Sequence, residues 1–188
     1  MFFTAHSVGT WIASELLQLI RDDIKVKGRS KAMMDMPEHV CFSSFPPPTI
    51  PTEERPWNAN NALSEDQFKT ECRRWDINEI VFTQVWDMYH PLLRADFTLF
   101  DEYNYNHGET AKYSFPMTMF SAKDDRMITE AMCNDWKEKT SKRFELVPID
   151  GHHLFPLDKE QKDVWLKRIV KDLDGVMEVI ELKLIYGM

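Results

Sequence analysis

The chain has 188 residues, 43% of them hydrophobic, with 31 acidic against 23 basic side chains and a net charge of −8. That length and hydrophobic fraction suit one globular domain with a sizeable core and exclude a disordered chain, while the acidity argues against nucleic acid as a partner. No apolar run is long enough to span a bilayer, and the first residues lack the charged and then apolar pattern of a secretory signal.

The chain opens on a short apolar segment, Met1-Phe2-Phe3, followed by Thr4-Ala5-His6-Ser7-Val8-Gly9-Thr10. Trp11, Ile12, Leu16, Leu17, Leu19 and Ile20 then recur at helical spacing and predict a helix from Thr10 to about Asp23. Strand, sharp turn bearing a serine, helix is the sequence form of a nucleophile elbow. Such a turn needs small neighbours because its backbone is strained and closely approached. Gly9 supplies one, and Ala5 stands where the other glycine is usual. An ordinary helix N-cap serine is the plain alternative for Ser7. The basic cluster Lys25, Lys27, Arg29 and Lys31 reads as a solvated loop, or as the patch that an acidic docking partner would require.

Glu38 to Phe45 reads as the next strand, closed by Pro46, Pro47 and Pro48, which cannot continue a ladder. From Leu63 to about Tyr105 the pattern turns helical: Val81, Val85, Trp86, Tyr89, Leu92, Leu93, Phe97 and Phe100 keep one apolar stripe. That insert is a lid over an active site, a stripe packed on the body, or both. Arg94 and Asp96 are expected to hold helix ends or to pair. Phe115 to Ala122 reads as a buried strand running into Lys123-Asp124-Asp125-Arg126-Met127-Ile128, and Thr129 to Thr140 as a helix with Thr129 its N-cap. Arg143 to Ile149 alternates like a further strand and ends in Asp150-Gly151-His152-His153-Leu154-Phe155. Leu157 to about Leu173 is the last helix, and Val176 to Tyr186 is either an extra strand or its continuation. Serine, acid after a strand, histidine after the last strand is the chain order of α/β-hydrolase triads, unlike the orders of chymotrypsin or subtilisin. The three spaced cysteines, Cys41, Cys72 and Cys133, fit reduced thiols in the cytoplasm better than a disulfide framework or a zinc site.

Taken together these motifs resemble the type II thioesterases of fatty acid, polyketide and nonribosomal peptide synthesis. The resemblance runs from Phe2 to about Leu173. It rests on His6-Ser7-Val8-Gly9, Ser44-Phe45-Pro46-Pro47-Pro48, Leu63-Ser64-Glu65-Asp66-Gln67-Phe68, Pro91-Leu92-Leu93-Arg94-Ala95-Asp96-Phe97, and the acid and histidine loops. It implies an α/β fold of α/β-hydrolase type, a mostly parallel sheet with a helical lid insertion at about 57–108. Residues 1–173 would form a partial domain lacking the N-terminal strands, and residues 174–188 a tail of unassigned role.

The resemblance further implies a serine hydrolase that cleaves acyl thioesters without metal or other cofactor, releasing finished fatty acids or clearing stalled acyl groups. Ser7 is the expected nucleophile, His152 the base and Asp125 the acid that orients it. Asp125 is favoured over Asp124 because it is followed by two residues and then aliphatic Ile128, as in the family. His152 is favoured over His153 because it directly follows Gly151. His6 is expected to pack and hydrogen-bond at the turn, and His39, His90 and His107 to be ordinary. The Val8 backbone N–H is the expected oxyanion donor. A second donor would come from a loop after an earlier strand, so this chain is expected to hydrolyse thioesters weakly or not at all. The implied partner is an acyl carrier protein or synthase carrier domain bearing a phosphopantetheine-linked acyl chain, with no nucleic acid and no membrane. Competing expectations are a catalytically inactive fragment or carrier-binding remnant, and a hydrolase of oxygen esters, against which the Leu93-Arg94-Ala95-Asp96 segment argues.

Overall fold

The computed structural model describes residues 1–32, 34–108 and 111–186. Four strands, β1 (Phe2–His6), β2 (His39–Ser43), β3 (Met117–Ala122) and β4 (Phe144–Ile149), form one parallel sheet in the order β1-β2-β3-β4. Parallel neighbours need crossovers. Helix α1 (Gly9–Lys27) links β1 to β2, a helical insert links β2 to β3, α5 (Glu130–Asn134) lies between β3 and β4, and α6 (Lys159–Tyr186) follows β4. The register sets His6 opposite Ser43, Ser43 opposite Phe120, and Ala122 opposite Ile149, so all four carboxyl ends lie at one end of the sheet, with β3 and β4 running two residues further. Ligands of open parallel sheets bind outside the carboxyl ends of their strands.

Strand sequence follows position. Every residue of β3 is buried, and so are the last four of β2, whereas Thr4 in β1 is exposed. Among the described residues β1 pairs only with β2. Alternation along the strands divides the core in two. Val40, Phe42, Met117 and Met119 join Trp11 and Leu17 of α1, Trp136 and the insert, while Cys41, Phe120, Ala122 and Ile149 join Phe155 and Ile169 of α6. Helix α6 is 28 residues long, so Val176 to Tyr186 continues it rather than adding a strand. No helix of the described residues is long and apolar enough to cross a membrane.

The insert contains α2 (Glu65–Arg74), α3 (Glu79–Gln84) and α4 (Trp86–Asp101). Ser64 opens α2 with a capping box in which its hydroxyl accepts from the Gln67 N–H and the Gln67 side chain accepts from the Ser64 N–H. Asn78 caps α3 through its side chain. Phe68, Trp75, Trp86, Phe97 and Phe100 are all buried and pack together with Phe45, just after β2, and Trp57, ahead of α2. Arg94 donates to the carbonyls of Asn60 (2.7 Å) and Leu63 (3.0 Å) and so holds the turn before α2. Arg55 donates to the carbonyls of Phe100, Asp101 and Tyr103, which the end of α4 leaves without intrahelical donors.

Candidate active site

At the end of β1 the chain reverses through Ser7, whose φ of +53° lies in the left-handed region. That conformation costs a non-glycine residue ~1–3 kcal/mol and persists only where the surroundings enforce it. Here the Ser7 N–H donates to the Ser43 carbonyl (2.9 Å), and the Ser7 carbonyl accepts from both the Thr10 N–H and the Thr10 hydroxyl (2.9 Å each). A Cβ on Gly9 would stand 3.9 Å from the Ala5 Cβ, an ordinary contact, so alanine fills the first small position without crowding. Val8 is the N-cap residue of α1, and its carbonyl accepts from Trp11 and Ile12.

The turn brings Ser7 Oγ to 2.8 Å from His153 Nε2. His153 Nδ1 donates to Asp125 Oδ2 at 2.7 Å, and Asp125 Oδ1 accepts the N–H groups of Met127 and Ile128 at 2.9 Å each. With Nδ1 as donor, a neutral His153 presents Nε2 as an acceptor for the Ser7 hydroxyl. The His153 side chain is 2% exposed and that of Asp125 0%. A buried carboxylate is tolerable when donors surround it, and Asp125 has three. Asp124, by contrast, is exposed, and its backbone N–H donates to the Gly151 carbonyl (3.0 Å), tying the acid loop to the histidine loop.

His152, the histidine expected at Ser7, is not there. Its ring is 38% exposed, with Nε2 3.2 Å from Asp158 Oδ2. Its Nδ1 accepts from the Leu154 N–H at 3.1 Å, which places the ring proton on Nε2, toward Asp158. The cause is local. Beyond β4 the chain turns at Gly151 with φ +109°, where a Cβ would stand 3.3 Å from Gln161 Cγ and 3.4 Å from Phe155 Cβ. After that turn His152 faces outward, while His153 faces inward in step with Phe155, which is fully buried. In the sequence, the mark of the inward histidine is its place two residues ahead of Phe155, a core residue.

His6 lies under the site. Its Nδ1 is 2.9 Å from the Ser43 hydroxyl, and its ring centroid is 5.3 Å from that of His153 and 5.4 Å from that of Phe155. Burial, and then the neighbouring His153, push its pKa down to about 3. A second imidazole thus stands beside His153 without carrying charge near neutral pH.

Elsewhere, on the side of the sheet that α6 covers, His39, Cys41 and Asp172 bring donor atoms within 4.8 Å of one another. These atoms are already engaged with protein partners. Thr118 donates its hydroxyl to Asp172 and lies 2.9 Å from His39 Nε2, and Arg168 donates to the other Asp172 oxygen at 3.1 Å. Burial pushes the Cys41 thiol far up, away from the thiolate that binds metals. The group is a self-satisfied polar network. All three cysteines, Cys41, Cys72 and Cys133, are free and buried.

A hydroxyl on a strained turn, an imidazole within hydrogen-bond reach of it, and a buried carboxylate bonded to that imidazole are the arrangement that a nucleophile, a base and its support require. The chain matches no protein-family model. It is 30% identical over 156 residues to gramicidin S biosynthesis protein GrsT of Aneurinibacillus migulanus, covering 81% of this chain and 56% of that protein. It is 26% identical over 168 residues to linear gramicidin dehydrogenase LgrE of Brevibacillus parabrevis, covering 86% of this chain and 58% of that one. The chain therefore spans just over half the length of these relatives. Among solved structures, it superposes on RedJ, a thioesterase from the prodiginine biosynthetic pathway in Streptomyces coelicolor, with a TM-score of 0.73 at 23% identity, covering 89% of this chain and 59% of that chain. On YbtT, a type II thioesterase from the yersiniabactin pathway, the TM-score is 0.69 at 19% identity, covering 93% of this chain and 66% of that chain. The shared fold is that of the α/β-hydrolases, over the part that this chain spans.

Proposed function

We propose that this chain, a relative of the type II thioesterases, carries the nucleophile, base and acid of a serine hydrolase that releases acyl groups held as thioesters on carrier proteins. The observation behind this reading is the chain of hydrogen bonds from Ser7 through His153 to Asp125, at 2.8 Å and 2.7 Å. As Ser7 Oγ attacks the thioester carbonyl, His153 Nε2 takes the hydroxyl proton and Asp125 stabilises the imidazolium. The proton then passes to the departing thiolate sulfur. Water, deprotonated by the same nitrogen, attacks the acyl-serine ester, which releases the carboxylic acid and restores Ser7. The Val8 N–H, just past the nucleophile at the start of α1, would donate to the oxyanion.

A relative named for gramicidin S biosynthesis and a neighbour from the yersiniabactin NRPS/PKS pathway favour polyketide or nonribosomal peptide synthesis over fatty acid synthesis as the setting. The serine–histidine–aspartate geometry favours hydrolysis over the oxidoreduction in the name of LgrE. A phosphopantetheine-bound acyl chain is the substrate form that this reading implies, and three free thiols fit a reducing, cytoplasmic compartment. The test treats the purified chain with a small fluorophosphonate and with an acyl-pantetheine thioester. Labelling should map to Ser7 by peptide mass spectrometry, and both labelling and hydrolysis should vanish in Ser7→Ala. Hydrolysis or labelling undiminished in that variant refutes the proposal.

A further inference from the structure

We infer that Asp76, in the turn between α2 and α3, is a positioning residue for the base His153. This inference rests on the triad reading above. Asp76 has a φ of +61°, a left-handed conformation that aspartate adopts more readily than most residues. Its carboxylate is only 7% exposed, and its partners all come from the two loops that build the triad. Asp76 Oδ2 accepts the backbone N–H of His153 at 3.2 Å and lies 3.7 Å from Nδ1 of His152. Asp76 Oδ1 pairs with the guanidinium of Arg126, the residue next to Asp125.

One carboxylate thus joins the insert to the neighbour of the acid and to the main chain of the base. Trp75, immediately before it, sets its indole against the His153 ring with centroids 4.7 Å apart. Three constraints converge on one imidazole. Asp76 pins its backbone, Trp75 blocks its swing, and Asp125 fixes its Nδ1. A carboxylate that merely finished α2 would bond to α2. The Asp76 backbone N–H does so, at the Arg73 carbonyl, but its side chain reaches across to the loops after β3 and β4. Nothing in the local sequence marks this role, because Asp76 and His153 are 77 positions apart.

The decisive variant is Asp76→Gly, which removes the carboxylate and places at +61° the residue most at ease there, so that the turn is kept. Asp76→Asn retains an acceptor for the His153 N–H and loses the charged pair. Arg126→Gln alters an exposed side chain, breaks the same pair and carries no risk to the core. Three readouts apply: the rate of Ser7 labelling by a small fluorophosphonate, kcat and KM for an acyl-pantetheine thioester, and the downfield proton NMR signal of the His153 Nδ1–H bonded to Asp125. Loss of that signal in Asp125→Asn assigns it.

Asp76→Gly should slow labelling and lower kcat by ~10- to 100-fold, the scale expected when a reacting group is misplaced by about an ångström. KM should stay nearly constant, and the downfield proton should broaden through faster exchange. Asp76→Asn should recover part of each effect, and Arg126→Gln should show a smaller loss in the same sense. Unchanged labelling, kcat and proton signal in Asp76→Gly overturn the inference, as does a loss confined to KM or to thermal stability. If Ser7 fails to label in the wild-type chain while the downfield proton still depends on Asp76, the positioning role stands and the nucleophile assignment falls.

Discussion

Trp75 meets the His153 imidazole edge-on, with ring centroids 4.7 Å apart and planes at 78°. It ends an aromatic row that passes through Phe97 and Phe68 to Trp86. The insert and the proposed base are therefore one packing unit, and damage to α4 should be felt at the site. Phe97 is 6% exposed within this row. Phe97→Ala should cost ~3–5 kcal/mol, as large aromatic truncations in a core do, seen as a fall in the urea midpoint, with acyl-chain preference unchanged. A changed preference without lost stability would make Phe97 a channel residue instead.

The two neighbouring histidines should separate cleanly. His153→Ala should lower kcat/KM by ~10⁴-fold or more, the usual cost of deleting a triad base. His152→Gln should cost far less, because its ring bonds outward to Asp158. Steady-state kinetics on the two variants decides the matter, and a dead His152→Gln beside a living His153→Ala would reverse the assignment.

Gly151→Ala tests the turn that orients them. The new Cβ would meet Phe155 Cβ at 3.4 Å in a backbone at φ +109°. That conformation costs a non-glycine residue ~1–3 kcal/mol. Melting temperature should fall, and Ser7 labelling should slow beyond what partial unfolding accounts for, since the loop carrying His153 must shift. Wild-type labelling in a destabilised Gly151→Ala would show that the loop's other contacts hold His153 in place without the turn.

His6 predicts a pH dependence of stability. An unfolded histidine titrates near 6.5, whereas burial holds His6 near 3 in the fold. Between these values the unfolded chain binds the extra proton, so the stability from neutral His6 is complete above about pH 6.5 and is lost as pH falls toward 3. The limiting slope for one proton is about 1.4 kcal/mol per pH unit. His39, also lowered by burial, adds to the same trend. The difference between wild type and His6→Phe isolates His6. Urea unfolding from pH 4 to 7 should give a steeper acid loss in the wild type, and parallel curves would mean that the ring is not held neutral.

Much of the fold was legible because buried parallel strands are written as short apolar runs between turn signals. Met117 to Ala122 is such a run, and Ser7 stands where the first of them turns into a helix. Helix α1 outran its predicted end at Asp23 because nothing breaks it before Gly28, whose φ is +76°. Val176 to Tyr186 stayed ambiguous because its apolar and β-branched residues suit a strand, yet in α6 they stand mostly exposed. The segment predicted as one helix from Thr129 to Thr140 divides into α5 and a 3₁₀ stretch, Asp135–Lys139. Asp76 was illegible because its partners meet it only after the insert has folded onto the sheet, whereas motifs speak only of neighbours in sequence.

The pairing of Ala122 with Ile149 has a further consequence. Successive side chains of a strand take opposite faces, so sliding β4 by one residue would turn Ile149 away from α6 and displace by one station the Gly151 turn that follows it. The two imidazoles are chemically identical and are told apart by that turn. Alignment of one strand with its neighbour decides where the turn begins: one ring is buried against a serine, and the other is part-exposed beside Asp158. The place of His153 beside Ser7 thus depends on a register set a turn away, where β4 meets β3.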